Sequence, residues 1–319
     1  MRLSNPPSPF PTHPKTNQPP QPEWRARTDG LLAHVFFRSG RNFPLSVTAF
    51  TVEGYLFYSA VTAITPQLIL HLAWSTTPWT IAVRQLSYLL PVFFASIPIT
   101  WYSTRYRDIR SPLVLCFALF LAVTIAYACV APHWSDAQYG LNVLCAVGQA
   151  GPLTLLVAAV QFSAPHQFLS TATGLAFSAR AIGGAVGSAV LDAIVKGYMA
   201  AHYDGAVTRA AEGAGMGAEM VEMVVAAMGE GEGATSVEAL GEVVAGQVGM
   251  RALESVVAEG RWVWARAYRL AWASVIPFTV IALVCVAFLQ GVGELMTEHV
   301  EATVERARGV DEEKKVERE

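Results

Sequence analysis

The stretch TATGLAFSARAIGGAVGSAV, residues 171–190, is twenty residues long and carries one charged side chain, Arg180. Twenty helical residues rise about 30 Å, the thickness of a bilayer's hydrocarbon core. The stretch lies within the apolar block 168–200, and five more blocks share its character: 44–72, 79–101, 112–132, 138–162 and 267–290. Together the six hold 155 residues but only 6 of the chain's 47 Asp, Glu, Lys and Arg. None alternates with period two, so barrel strands are not expected. Lipid offers no water to pair exposed peptide groups, and the blocks must therefore cross as helices. The expected fold class is all-α: a polytopic membrane protein whose six transmembrane helices form one bundle.

Composition agrees. Apolar residues make up 53% of the chain, mean hydropathy is +0.38, and charged residues are 15% against about 25% in a soluble domain. The net charge of −3 averages over lipid and water and identifies no partner. No basic patch with interleaved aromatics occurs, so no nucleic-acid partner is expected. The lipid bilayer is the one partner that composition implies. Cys116, Cys129, Cys145 and Cys285 all fall in apolar blocks without CxxC spacing and read as small apolar side chains. The seven histidines are scattered over loops and span ends, and HExxH, GxSxG and P-loop signatures are missing from the sequence. An enzyme is not expected, nor a cofactor or a metal site.

Outside the blocks, residues 1–22 contain eight prolines and no apolar core, which predicts a disordered tail and no secretory leader. Residues 23–43 mix four arginines with Trp24, Leu31, Leu32, Phe36 and Phe37, as suits a short helix lying at the membrane surface. Basic residues then set the orientation. Arginines precede the first span, Arg105, Arg107 and Arg110 separate the second and third, and a charged tail, 291–319, follows the sixth, whereas 73–78 and 133–137 have no Lys or Arg. The positive-inside rule predicts both termini in the cytoplasm, which an even number of spans satisfies. The connection 201–266, with ten acids, four arginines and eleven glycines, is predicted outside. It is too polar to span. Met220, Val221, Val224, Val225 and Met228 make one helical stripe in it; Leu240, Val243, Val244 and Val248, after a Thr235–Glu238 capping box, make another. Both are expected to fold back over the outer mouth as part of a surface-packed loop, with a binding role as the alternative.

The ionisable residues inside the spans carry the functional reading. Glu53 lies about 14 Å along the first span and Arg180 about 18 Å along the fifth, both near mid-bilayer. A charge there costs at least about 2.5 kcal/mol unless it meets water or a partner. The two helices run in the same direction, so a Glu53–Arg180 ion pair is geometrically open. In a functional reading Glu53 exchanges a proton while Arg180 binds an anionic group or tunes that proton; otherwise the pair only joins two helices. Arg84, Asp192, Lys196 and Arg269 sit nearer the outer ends and are assigned to anchoring. Gln85, Asn142, Gln149 and Gln161 suit either substrate or interhelical hydrogen bonds. Gly148, Gly151 and Pro152 predict a kink or hinge in the fourth span, and Gly183, Gly184 and Gly187 offer a face for close backbone packing.

The same 171–190 stretch, with GPLTLLVAAVQFSAPH (151–166) and LMTEHVEATVE (295–305), resembles the C-terminal half of fungal major facilitator transporters, nearest the fourteen-helix branch of trichothecene efflux pumps and siderophore transporters. DGLLAHVFFRSGRNF (29–43) resembles the cytoplasmic connector before that half. The resemblance covers about residues 29–305. It implies that the six spans are that family's second six-helix bundle, whose first, second, fourth and fifth helices line the cavity, and so places Glu53, Gln85, Gln149 and Arg180 along the path of substrate and protons. The segment YSTRYRDIR (102–110) is a degenerate form of the family's basic cytoplasmic loop, and the sequence contains no first bundle. The expected function is export of small molecules, drug, toxin or siderophore, coupled to protons at the plasma membrane, with this chain as one half of the carrier. The alternative is a truncated, transport-incompetent membrane protein that acts by association with another.

Overall fold

The computed structural model describes residues 40–164, 168–229, 240 and 249–296. Among them every regular element is helical. The helices are α1 (Asn42–His71), α2 (Pro78–Tyr106), α3 (Arg110–Tyr127), α4 (Ala137–Ser163), α5 (Leu169–Gly213), α6 (Ala218–Gly229) and α7 (Met250–Ala287), followed by a 3-10 turn, Val292–Leu295. All but α6 are long and apolar enough to cross a membrane, which makes six spans. The Pro-rich tail, the interfacial segment as far as residue 39, the Thr235–Glu238 box with Val243, Val244 and Val248, and the tail beyond Met296 lie outside the described residues.

Each span stops where local chemistry stops it. Thr77 caps α2 through its hydroxyl, which accepts the Thr80 N–H at 3.2 Å, and Pro78 occupies the first helical position, where no N–H is needed. Arg107 ends α2 in the left-handed region, φ 51°. Asp108 then opens the way into α3 by accepting the Ser111 N–H at 3.1 Å. Asn42, at the start of α1, donates to the Gln290 carbonyl at 2.6 Å and accepts its N–H at 3.2 Å, joining the first span to the end of the last.

Within the bundle α1 is central, packed on α4, α5 and α7; α3 packs on α4 and α7, and α2 rests chiefly on α4. Phe43, Phe50, Leu56 and Leu68 of α1 fill the interior with Phe117 and Phe120 of α3 and Tyr268 and Trp272 of α7. The Tyr127 and Trp272 rings stack at 4.5 Å. Lipid tails are as apolar as these side chains, so it is close packing and hydrogen bonding, more than the hydrophobic effect, that holds such an interior together.

The region 201–266 departs from expectation. It is not chiefly a loop. The helix α5 runs on thirteen residues past the apolar block to Gly213, and α7 begins at Met250, well before its apolar block. Tyr203, Ala206, Val207 and Ala211 continue the apolar spacing on α5, as Leu253, Val256, Val257 and Val263 do on α7. Val221, Val224 and Met228 of α6 and Leu240 pack against them in a second core, separate from that of the bundle. Among the described residues, Asp204, Arg209, Glu212, Glu219, Glu222, Arg251, Glu254 and Arg266 are exposed on these same helices. Polarity therefore ended the spans in sequence without ending the helices.

Candidate functional site

The structure brings Glu53 and Arg180 together. Glu53 lies on the buried face of α1, fully enclosed, and Arg180 on α5 is 8% exposed. Arg180 Nε donates to Glu53 Oε2, and Nη2 donates to Oε1 at 2.9 Å, the two-pronged geometry that suits a guanidinium and a carboxylate. Gln149 of α4, 1% exposed, adds a third donor to Oε1 at 2.5 Å. Three helices thus meet at one carboxylate.

Glycine makes the approach between α1 and α5. A Cβ on Gly54 would stand 2.7 Å from the Arg180 carbonyl carbon, and one on Gly183 3.0 Å from that of Thr51. Gly184 and Gly187 meet the Tyr58 and Tyr55 rings in the same way. The two backbones therefore cross at Gly54 and Gly183, one residue after Glu53 and three after Arg180. Gly148 and Gly151 do the same for α4 against α3: a Cβ on Gly148 would lie 3.0 Å from the Cys116 carbonyl oxygen, and one on Gly151 2.5 Å from Cys116 Sγ. Helix α4 runs unbroken through Pro152. At this turn, where proline removes a backbone hydrogen bond, the helix is packed closely on α3.

Around the guanidinium stand three rings of α1: Phe50, Phe57 and Tyr58, with centroids 5.3, 5.2 and 5.1 Å from Cζ. Arg180 Nη1 also points to the Tyr58 hydroxyl at 3.4 Å. Tyr58 is 41% exposed, so it forms the rim between the buried pair and the outside of the bundle. Sequence reasoning did not single out these aromatics, although Phe50, Glu53 and Phe57 fall on one helical face. Nor did it foresee the wider π-helical turns of Tyr55–Ile64, which begin two residues after Glu53. Ser59, Thr62 and Thr65 serve carbonyls within this stretch through their hydroxyls, Thr65 reaching back five residues to Ala60. π-Helical turns are uncommon and frequently accompany functional sites.

The other polar residues go elsewhere. Gln85 of α2 does not join the pair; its Nε2 is buried without a hydrogen-bond partner among the described residues. Arg84 is not an anchor in the headgroups. It is 3% exposed and donates to Gln138 Oε1 at 2.5 Å, to the Trp74 carbonyl at 3.1 Å and to Ser135. Asn142 extends this network to Ser87 and Tyr127. Arg84 therefore binds α2 to the start of α4 and to two loop carbonyls. Asp192 and Lys196 form an exposed pair at 2.8 Å, Arg269 donates to the Val130 carbonyl at 2.6 Å, and Gln161 donates to Thr173 across α4 and α5. All four cysteines are free, with Cys129 exposed. Among the described residues no cluster of His, Cys, Asp and Glu could hold a metal ion.

A bundle of membrane-spanning helices with ionised groups joined at its centre is an arrangement found in carriers. The sequence matches the family model of the Major Facilitator Superfamily over residues 6–188. The chain belongs to the Major Facilitator Superfamily. No curated protein matches it. The matched region includes α1 to α4 and α5 as far as Ser188, and so takes in Glu53, Gln149, Arg180 and the glycines that bring them together. As a member of the superfamily the protein is an integral membrane carrier of the secondary-transport type, moving small molecules across a membrane, and is not an enzyme.

Proposed function

We propose that Glu53, Arg180 and Gln149 form the coupling site of a proton-driven exporter of small amphipathic molecules, drug, toxin or siderophore, at the plasma membrane. The observation that carries this reading is the convergence on Glu53: its three hydrogen bonds are all donated to the carboxylate, two of them by Arg180. A proton arriving on Oε2 would remove the negative charge that holds the guanidinium and so favour its withdrawal. Once withdrawn, Arg180 would pass the rim at Tyr58 and present its charge and fork to an anionic or strongly polar group of a substrate. Release of the substrate would return Arg180 to Glu53 and expel the proton. The groups that bind proton and substrate compete for one another, which is the requirement for exchange.

In the same proposal both termini face the cytoplasm and the six spans act as one of two bundles, since alternating access rocks one bundle against another around a midplane site. Gln85, on α2, is assigned to the substrate path. The test is counterflow of a labelled fungal toxin or ferric siderophore in vesicles carrying the complete carrier, with and without a pH gradient. Proton-linked export that is lost in Glu53→Gln supports the reading. Export insensitive to both the gradient and the variant would overturn it.

A further inference from the structure

Where α2 ends and α3 begins, the two helices leave a slot of about 400 Å³ lined by Pro98, Ile99, Tyr102, Ser111, Pro112 and Leu115. Its walls are almost entirely apolar. Helix α2 rests chiefly on α4 rather than on α3, which leaves the two helices apart at the slot. The connection between the lining residues Tyr102 and Ser111 is basic: Arg105, Arg107 and Arg110 are exposed, and Arg110 also borders a neighbouring cavity of about 350 Å³ with Asp108, Leu289 and Gln290. Arg105 and Arg110 have no carboxylate partner among the described residues. The one acid of the connection, Asp108, is engaged with the Ser111 N–H. Tyr102, which lines the slot, stands 4.8 Å from the Tyr106 ring, and Trp101 on the same end of α2 is 63% exposed, side chains of the kind enriched at a membrane interface.

We infer that this slot binds one anionic phospholipid, an acyl chain lying between α2 and α3 and the phosphate-bearing headgroup resting on Arg105 and Arg110. An apolar slot of this volume matches a single hydrocarbon chain and is too small for a partner helix. Free phosphate would use the arginines and leave the slot unfilled. A zwitterionic lipid would fill the slot but gain less from two unpaired cations, each of which favours negative lipid. The site is distant in function from the Glu53–Arg180 pair and does not depend on what the carrier transports.

The experiment is native mass spectrometry of the full chain released from detergent, with dioleoyl phosphatidylserine and dioleoyl phosphatidylcholine offered in equal amounts. The first bound lipid should be the serine lipid by about tenfold, because both lipids carry the phosphate and only the serine headgroup adds the net negative charge that the two arginines favour. Arg105→Gln with Arg110→Gln should bring the ratio near one, while the matching Lys pair should keep it. Leu115→Trp, which fills the slot, should lower retention of both lipids alike. Arg105→Gln alone, on the exposed end of α2, should lose about threefold and serves if the double variant does not fold. Equal retention of the two lipids by the natural chain would overturn the inference, as would a preference untouched by the Gln variants. Displacement of the serine lipid by millimolar inorganic phosphate would mark a site for the free ion and would overturn it as well.

Discussion

At the scale of the residue, Arg180 is more exacting than its partner. A guanidinium stays ionised at any physiological pH, so it cannot escape its burial by losing a proton, whereas Glu53 can gain one. Arg180→Ala leaves the carboxylate beside Gln149 alone, and breaking a buried pair costs roughly 3–5 kcal/mol when the orphan stays charged. A protonated Glu53 avoids most of that cost. The expected outcome is loss of transport with normal membrane insertion, read from transport rate beside detergent-solubilised yield. Arg180→Lys should restore transport only in part, because an ammonium makes one of the two contacts. Glu53→Gln combined with Arg180→Gln should give a higher yield than either change alone. Normal transport by Arg180→Ala at normal yield would return the pair to a purely structural role. The option of pairing was legible in the sequence from simple counting along the spans. The aromatic surround was not, because Phe and Tyr in an apolar span carry no mark that separates a ring facing an arginine from one facing lipid. Arg84 was misjudged for a related reason: distance along a span fixes depth, but not the direction in which the side chain points.

At the scale of the element, the crossing of α1 and α5 rests on glycines that differ sharply from others in the same helix. Gly183 meets the Thr51 backbone, whereas Gly174 and Gly197 have nothing within 4 Å of an added Cβ. Gly183→Ala should therefore lower the melting temperature of the detergent-solubilised protein, with a cost of about 1–3 kcal/mol for overpacking. Gly197→Ala should be neutral or gain up to about 1 kcal/mol from helix propensity. Equal effects at the two positions would show that the crossing is looser than described. The GxxxG spacing announced this face in the sequence, but its counterpart at Gly54 did not stand out, since a single glycine beside a glutamate has no spacing to read. The π-helical turns were likewise hidden, because a shift in hydrogen-bond register leaves little mark in a stretch that is apolar on most of its faces.

At the scale of the whole molecule, two proposals are open to direct test. Single cysteines placed at exposed positions in 201–213 should react with an impermeant maleimide added to intact cells, and cysteines in 102–110 should not; labelling of the second set would invert the orientation. The purified six-helix chain, reconstituted by itself, should show no saturable uptake driven by a pH gradient, because one bundle cannot close both ends of a cavity in turn. Saturable uptake would require a symmetric pair of these chains. The number of spans was legible from length and charge alone, since both follow directly from the physics of lipid. The helical ends of the 201–266 region were not, because their Ala-rich turns carry soluble polarity on one face and bundle-like apolar spacing on the other.

The length of α5 has a mechanical side. From Arg180 the helix continues 33 residues to Gly213, a rod of about 50 Å, so a tilt of about 5° at the ion pair would swing its far tip by about 4 Å. That tip is clasped to α7 through α6 and the second core. The clasp makes a lever of two spans that would otherwise tilt separately, and it turns a sub-ångström adjustment at a buried carboxylate into a displacement that a pair of spectroscopic labels outside the bilayer can follow.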